Sequence, residues 1–241
     1  MSEKLPEKIP VFPLRGAIFF PETNLPLNIF EDRYLKMVEN AISTNGFIGM
    51  IQSKEINGEV FKVGCLGKIN KHEKTNDGRI LINLNGLTRF KIDKEINNNQ
   101  PFREFSVDYE VFKNDTNQKY IVENETYNKL ILNSKKLFAQ YEMSLNWSEL
   151  SKLKKSQQIY TLAMISPFSV SEKQKLLEIP QINDIAKTFI DITKFAFYES
   201  SKENNIIQYI KYKFYLPNRN KELRLVMLIF LERSQLQQMF F

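Results

Sequence analysis

The chain has 241 residues, 42% of them hydrophobic and 26% charged, a balance that argues against extended disorder and supplies core material for one or two compact units. The formal charge of +6 suggests a phosphate-bearing partner only until its distribution is considered: residues 209–241 hold six bases against two acids, which leaves the body of the chain nearly balanced. A single cysteine excludes an internal disulfide, "MSEKLPEKIPVF" lacks the features of a secretory signal, and the richest apolar run, "LVMLIFL" at 225–231, falls far short of the ~20 residues that span a bilayer. A cytoplasmic protein without a transmembrane segment is therefore expected.

The first half reads as short strands. "PVFPL" opens the set, and "LPLNIF" follows as a strand delivering Ile29 or Phe30 to the core. In "EDRYLKMVENAISTNG", Tyr34, Met37 or Val38, Ala41 and Ile42 recur at helical spacing, and Asn45-Gly46 supplies a left-handed stop. Glu31 and Asp32 suit the positive end of that helix, and Arg33 is expected to pair with a carboxylate or a strand-end carbonyl. "GFIGMIQ" and "KVGCLGKIN" are further strands. "RILINL" at 79–84 follows the hairpin pair Asp77-Gly78, and Asn85-Gly86 is read as a second turn leading into "LTRFKI". "FSVDYEV" at 105–111 alternates with period two. Six or seven such strands in succession predict a partly closed antiparallel barrel with one inserted helix.

Beyond "KNDTNQK", near residue 113, the period becomes 3.6. Tyr127, Leu130 or Ile131, Ser134, Leu137 or Phe138 and Tyr141 line one helical face. Ser169 and Glu172 stand at capping-box spacing after Pro167. After Pro180, a stripe of Ile182, Ile185, Phe189, Ile192 and Phe195 predicts another helix, with "SSKENN" at 200–205 as its polar exit. The expected organisation is a β portion over 1–112, a helical portion over 113–200, and a basic, apolar tail over 201–241 to which no structure is assigned.

Few residues suggest chemistry. Cys65 and His72 are the chain's lone cysteine and histidine, and an odd separation of seven places them on opposite faces of a continuous strand. Cys65 reads as a small core residue and His72 as a solvated one. One cysteine and one histidine cannot build a structural zinc site, and no acidic calcium loop is present. In "GCLGKIN" an isoleucine stands where a phosphate loop needs Ser or Thr, so no nucleotide is expected. No catalytic residue, metal or cofactor is therefore assigned. Lys68, Lys71, Lys74, Arg79, Arg89 and Lys91 leave RNA binding open as a secondary reading; the simpler one is that they occupy water-facing strand positions, diluted by Glu59, Glu73, Asp77 and Asp93.

The run "IPVFPLRGAIFFPETNLPLNIFEDRYLKMVENAI", then "GFIGMI", "VGCLGKI", "DGR", "GLTRFKI" and "PFRE", resembles the N-terminal, substrate-binding domain family of Lon proteases and its stand-alone relatives. The likeness rests on Pro13, Pro26, Phe30, Glu31, Arg33, Tyr34, Gly64, Gly86, Arg89 and Phe90 in combination, and it runs over about residues 9–200. It implies an α+β fold, a PUA-like antiparallel β pseudobarrel followed by a C-terminal α-helical bundle. The ATPase and Ser-Lys protease modules of full-length Lon find no counterpart in these residues. The function implied is non-catalytic binding of unfolded or client polypeptides, beside a separate protease partner, as an adaptor in protein quality control. Such recognition needs exposed apolar surface, and "RGAIFFPETN" offers Phe19 and Phe20 as candidates unless they close the barrel bottom.

Overall fold

The computed structural model describes residues 4–54, 58–117 and 121–214, the last of these as backbone alone from 199 onward. Six strands, β1 (Lys8–Pro13), β2 (Asn24–Ile29), β3 (Phe47–Ser53), β4 (Val60–Lys74), β5 (Ile80–Ile96) and β6 (Arg103–Asp108), form one mixed sheet. Helix α1 (Asp32–Ser43) is inserted between β2 and β3. After a 3-10 turn at Glu110–Phe112 come α2 (Asn114–Asn117), α3 (Asn124–Gln140), α4 (Trp147–Ser151), α5 (Lys155–Ile165), α6 (Val170–Glu178) and α7 (Ile182–Phe214). The fold is α+β.

Strand order is β2-β5-β4-β3-β1-β6, and β6 pairs again with β5, so five strands close into a ring and β2 hangs from β5 outside it. The pairing is not antiparallel throughout, as the hairpin signals alone implied: β1 runs parallel to β3, with Val11 opposite Gly49. A parallel pair needs a crossover, and here β2 and α1 are carried within it.

Strand alternation divides the buried residues between two faces. Ile48 and Met50 of β3 and Cys65 of β4 join Tyr34, Met37, Val38 and Ala41 of α1 in one core. Phe47 and Ile51 of β3 and Leu66 of β4 join Ile9, Val11, Phe90 and Phe105 in the other. Because each face of β3 meets its own core, that strand is buried along its whole length.

The turn at Asp77-Gly78 forms with Gly78 at φ 89, and Gly46 at φ 75 follows the end of α1. Asn85-Gly86 is not a turn. β5 passes straight through it, because Gly86 answers a demand for space rather than for curvature: a Cβ there would collide with the Phe20 carbonyl. "FSVDYEV" ends as a strand at Asp108. Ser169 and Glu172 form the capping box of α6, the hydroxyl accepting from the Glu172 N–H and the carboxylate from the Ser169 N–H at 2.8 Å.

The chain divides into two compact units, Met1–Ala196 and Phe197–Phe241. "SSKENN" does not end the last helix; α7 continues through it to Phe214. Of its predicted stripe, Ile182, Ile185, Phe189 and Ile192 are buried and Phe195 is exposed. Residues 215–241, most of the basic and apolar tail, lie outside the described residues.

Candidate functional site

Of the two readings left open for the aromatics between β1 and β2, exposed surface or barrel closure, the structure has them in the core. Phe19 is 1% exposed and Phe20 0%. Phe19 lies against Gly67 of β4, where a Cβ would approach its ring to 2.7 Å. Phe20 stacks on Tyr160 of α5, with ring centroids 4.7 Å apart and planes 11° from parallel. Glu22, at φ 59, is held against the start of α5: the Ser156 hydroxyl donates to its carboxylate at 2.6 Å and the Gln157 amide to its carbonyl at 3.0 Å. The loop is thus a wedge between strands and helices. Local sequence could not show this, because the helices that cover it arrive more than a hundred residues later.

The same wedge carries a half-buried amine. Lys173 of α6 donates to the Gly16 carbonyl at 3.0 Å, and burial holds its ammonium below the ordinary lysine range. The unfolded chain then binds that proton more tightly, so this group adds stability as pH rises from its folded pKa toward the unfolded value. Urea midpoints are expected to rise in the native chain relative to Lys173→Met as pH climbs toward the ordinary lysine value of about 10.4; parallel behaviour of the two would contradict this.

Arg89 does not occupy a water-facing position. It is 0% exposed, and Asp115 of α2 receives its Nε at 2.9 Å, one terminal nitrogen at 2.7 Å and its backbone N–H at 2.9 Å. The remaining donors reach the carbonyls of Leu177, Ile179 and Pro180 at the end of α6. Burial pulls the guanidinium pKa down, but hydrogen bonding and charge from Asp115 more than offset it, leaving the group raised and protonated. Phe90, the next residue, lies across Gly49 and Gly64, both of which lack the Cβ that would strike its ring. Pro13, at the end of β1, pairs with Ile51.

Surface chemistry lies at the other end of the family signature. Of the two candidates for burial at the end of β2, Ile29 is buried and Phe30, just past the strand, is 66% exposed. Leu81, on β5 opposite Asn28, is 40% exposed. Asn83 donates to the side chains of Asn70 at 2.9 Å and Asn24 at 3.4 Å, linking β4, β5 and β2. Glu31 precedes α1 and receives the Arg33 Nε at 3.0 Å. The Arg33 guanidinium lies 4.5 Å from the Tyr34 ring, and Tyr34 packs edge-on against Phe12 at 4.3 Å. Burial raises the Tyr34 phenol, partly opposed by Arg33. A cavity of about 410 Å³ in the β5–β6 hairpin is lined by Ile96, Asn98, Pro101 and Phe102, with Glu95 and Arg103 paired at 2.6 Å. Exposed apolar side chains, a satisfied ion pair and side-chain amides suit the binding of a chain segment.

Cys65 and His72 form no such arrangement. Cys65 is fully buried, and burial pushes its thiol well above the ordinary range, while His72 is exposed on the same strand. Among the described residues, no group of three or more His, Cys, Asp or Glu is placed to hold a metal ion.

A ring of five strands with an outlying sixth, an inserted helix and an appended helical layer defines an α+β domain that other proteins share. The family described as the ATP-dependent protease La (LON) substrate-binding domain matches residues 8–194. This chain belongs to that family. The Lon protease of Buchnera aphidicola subsp. Acyrthosiphon pisum is 28% identical over 192 residues, which cover 73% of this chain and 23% of that protein. The Lon protease of Dictyoglomus thermophilum is 23% identical over 190 residues, covering 76% and 24% respectively. The chain thus spans about a quarter of the length of these relatives. Among solved structures, a Lon N-terminal domain protein from Xanthomonas campestris superposes with a TM-score of 0.55 at 18% identity, covering 76% of this chain and 97% of the other. The N-terminal domain of a Mycobacterium avium complex Lon protease gives 0.56 at 16%, covering 78% and 98%.

Proposed function

We propose that this chain is a polypeptide-binding module without catalytic activity of its own, which engages unfolded client segments in the cytoplasm and serves as an adaptor for a separate protease. The observation that carries the reading is the extent of the family match: residues 8–194, from the first strand into α7, match the substrate-binding domain family. The exposed face bearing Phe30 and Leu81 supplies the apolar contact that such binding needs. No helix among the described residues is long and apolar enough to cross a membrane, which is compatible with clients met in solution.

Phe30→Ser tests the reading directly. Its side chain is largely outside the core, so the unfolding free energy from urea titration is expected to stay within about 0.5 kcal/mol of the native chain. Affinity for a permanently unfolded polypeptide, such as a reduced and carboxymethylated α-lactalbumin, is expected to fall about fivefold or more by fluorescence anisotropy. Unchanged affinity with the fold retained would remove this face from the function.

A further inference from the structure

We propose that the outer edge of β2 is a strand-addition site for an extended segment of unfolded polypeptide. The inference rests on the polypeptide-binding reading and says how the segment is held. Among the described residues, β2 stands at the end of the strand order, with β5 on one side and no strand on the other.

The phase of the ladder identifies what that edge offers. The Gly86 N–H donates to the Thr23 carbonyl at 2.9 Å, and Asn24 through Ile29 then pair with Asn85 through Ile80 without a register shift. Antiparallel pairs alternate between bonded and non-bonded, so Leu25, Leu27 and Ile29 exchange hydrogen bonds with β5. The backbone groups of Asn24, Pro26 and Asn28 therefore point away from it. Pro26 fits this phase because the N–H it lacks would have faced outward. The edge presents donors at Asn24 and Asn28 and acceptors at Asn24, Pro26 and Asn28, spaced over about 14 Å.

An extended segment with its own N–H groups complements this acceptor-rich row. The side chains of Asn24, Pro26 and Asn28 share the exposed face of β2, and Phe30 follows them, with Leu81 on the strand behind. Apolar side chains at alternate positions of an incoming segment would meet Pro26 and Phe30, so hydrogen bonding supplies binding and the aromatic supplies preference. A second copy of β2 is a poorer occupant: two-fold pairing about Pro26 sets proline against proline and loses both central donors, whereas a foreign segment loses one.

The test uses the full chain and the unfolded α-lactalbumin named above. On binding, amide exchange at Asn24 and Asn28 is expected to slow about tenfold or more, with no change at Leu25 and Leu27, already bonded to β5. Asn28→Pro removes an outward donor and is expected to weaken binding about tenfold, whereas Pro26→Ala restores one and is expected to tighten binding a few-fold. The gain in Pro26→Ala keeps the test decisive if Asn28→Pro fails to fold. Binding that persists without protection at Asn24 and Asn28 would overturn the edge while leaving polypeptide binding intact; no binding by the native chain would overturn both. Protection that grows with chain concentration alone would assign the edge to a second copy and overturn this occupant.

Discussion

Arg89→Ala is expected to destabilise the domain by about 3–5 kcal/mol, a large share of the roughly 5–15 kcal/mol that holds a typical domain folded. Removing the guanidinium strands Asp115, whose side chain is 1% exposed, as a buried charge without its cation. It also deprives the Leu177, Ile179 and Pro180 carbonyls of donors at the negative end of α6. A single side chain joins β5, α2 and α6, so both the pair and the helix end lose their partner together. Arg89→Met combined with Asp115→Leu is expected to recover much of the loss, since an apolar pair leaves no unpaired charge. Urea unfolding of the native chain, Arg89→Met, Asp115→Leu and the double variant gives the coupling directly; equal losses in Arg89→Met and the double variant would show that packing, not the ion pair, is what the site supplies.

This pair is long-range, and no local pattern encodes it. Periodicity and turn chemistry located α1, the Asp77-Gly78 turn and the α6 capping box because each is fixed by residues within a few positions of one another. Asp115 lies in "KNDTNQK", which reads as a polar connector, and nothing local says that its carboxylate is spent on an arginine 26 positions earlier. Phe19 and Phe20 likewise sit in a segment with loop composition, and only the later arrival of α5 over the loop buries them. At the end of β2 the apolar run left Ile29 and Phe30 equivalent; the pairing with β5 ends at Ile29, which is buried, and Phe30 beyond it stands in solvent. What the sequence concealed was long-range: which faces meet, and which backbone comes close to which.

Gly86 is the sharpest instance of such an approach, and Gly86→Ala is expected to cost about 3 kcal/mol or more. Its Cβ would lie 2.9 Å from the Phe20 carbonyl carbon and nearer still to the oxygen. Because the obstacle is backbone, it cannot rotate aside as a flexible side chain would. Relief requires moving either β5 or the loop, and the two are tied by the Glu22 N–H donating to the Gly86 carbonyl and the Gly86 N–H to the Thr23 carbonyl, each at 2.9 Å. Gly78→Ala is the control: open space surrounds that position and only its φ of 89 is unfavourable, so a loss of about 1 kcal/mol is expected. A similar small loss at Gly86 in urea unfolding would mean that the loop yields easily. If the loop instead holds, the strain passes through Thr23 into the first residue of β2, so Gly86→Ala should disturb the outward amide of Asn24 more than that of Asn28.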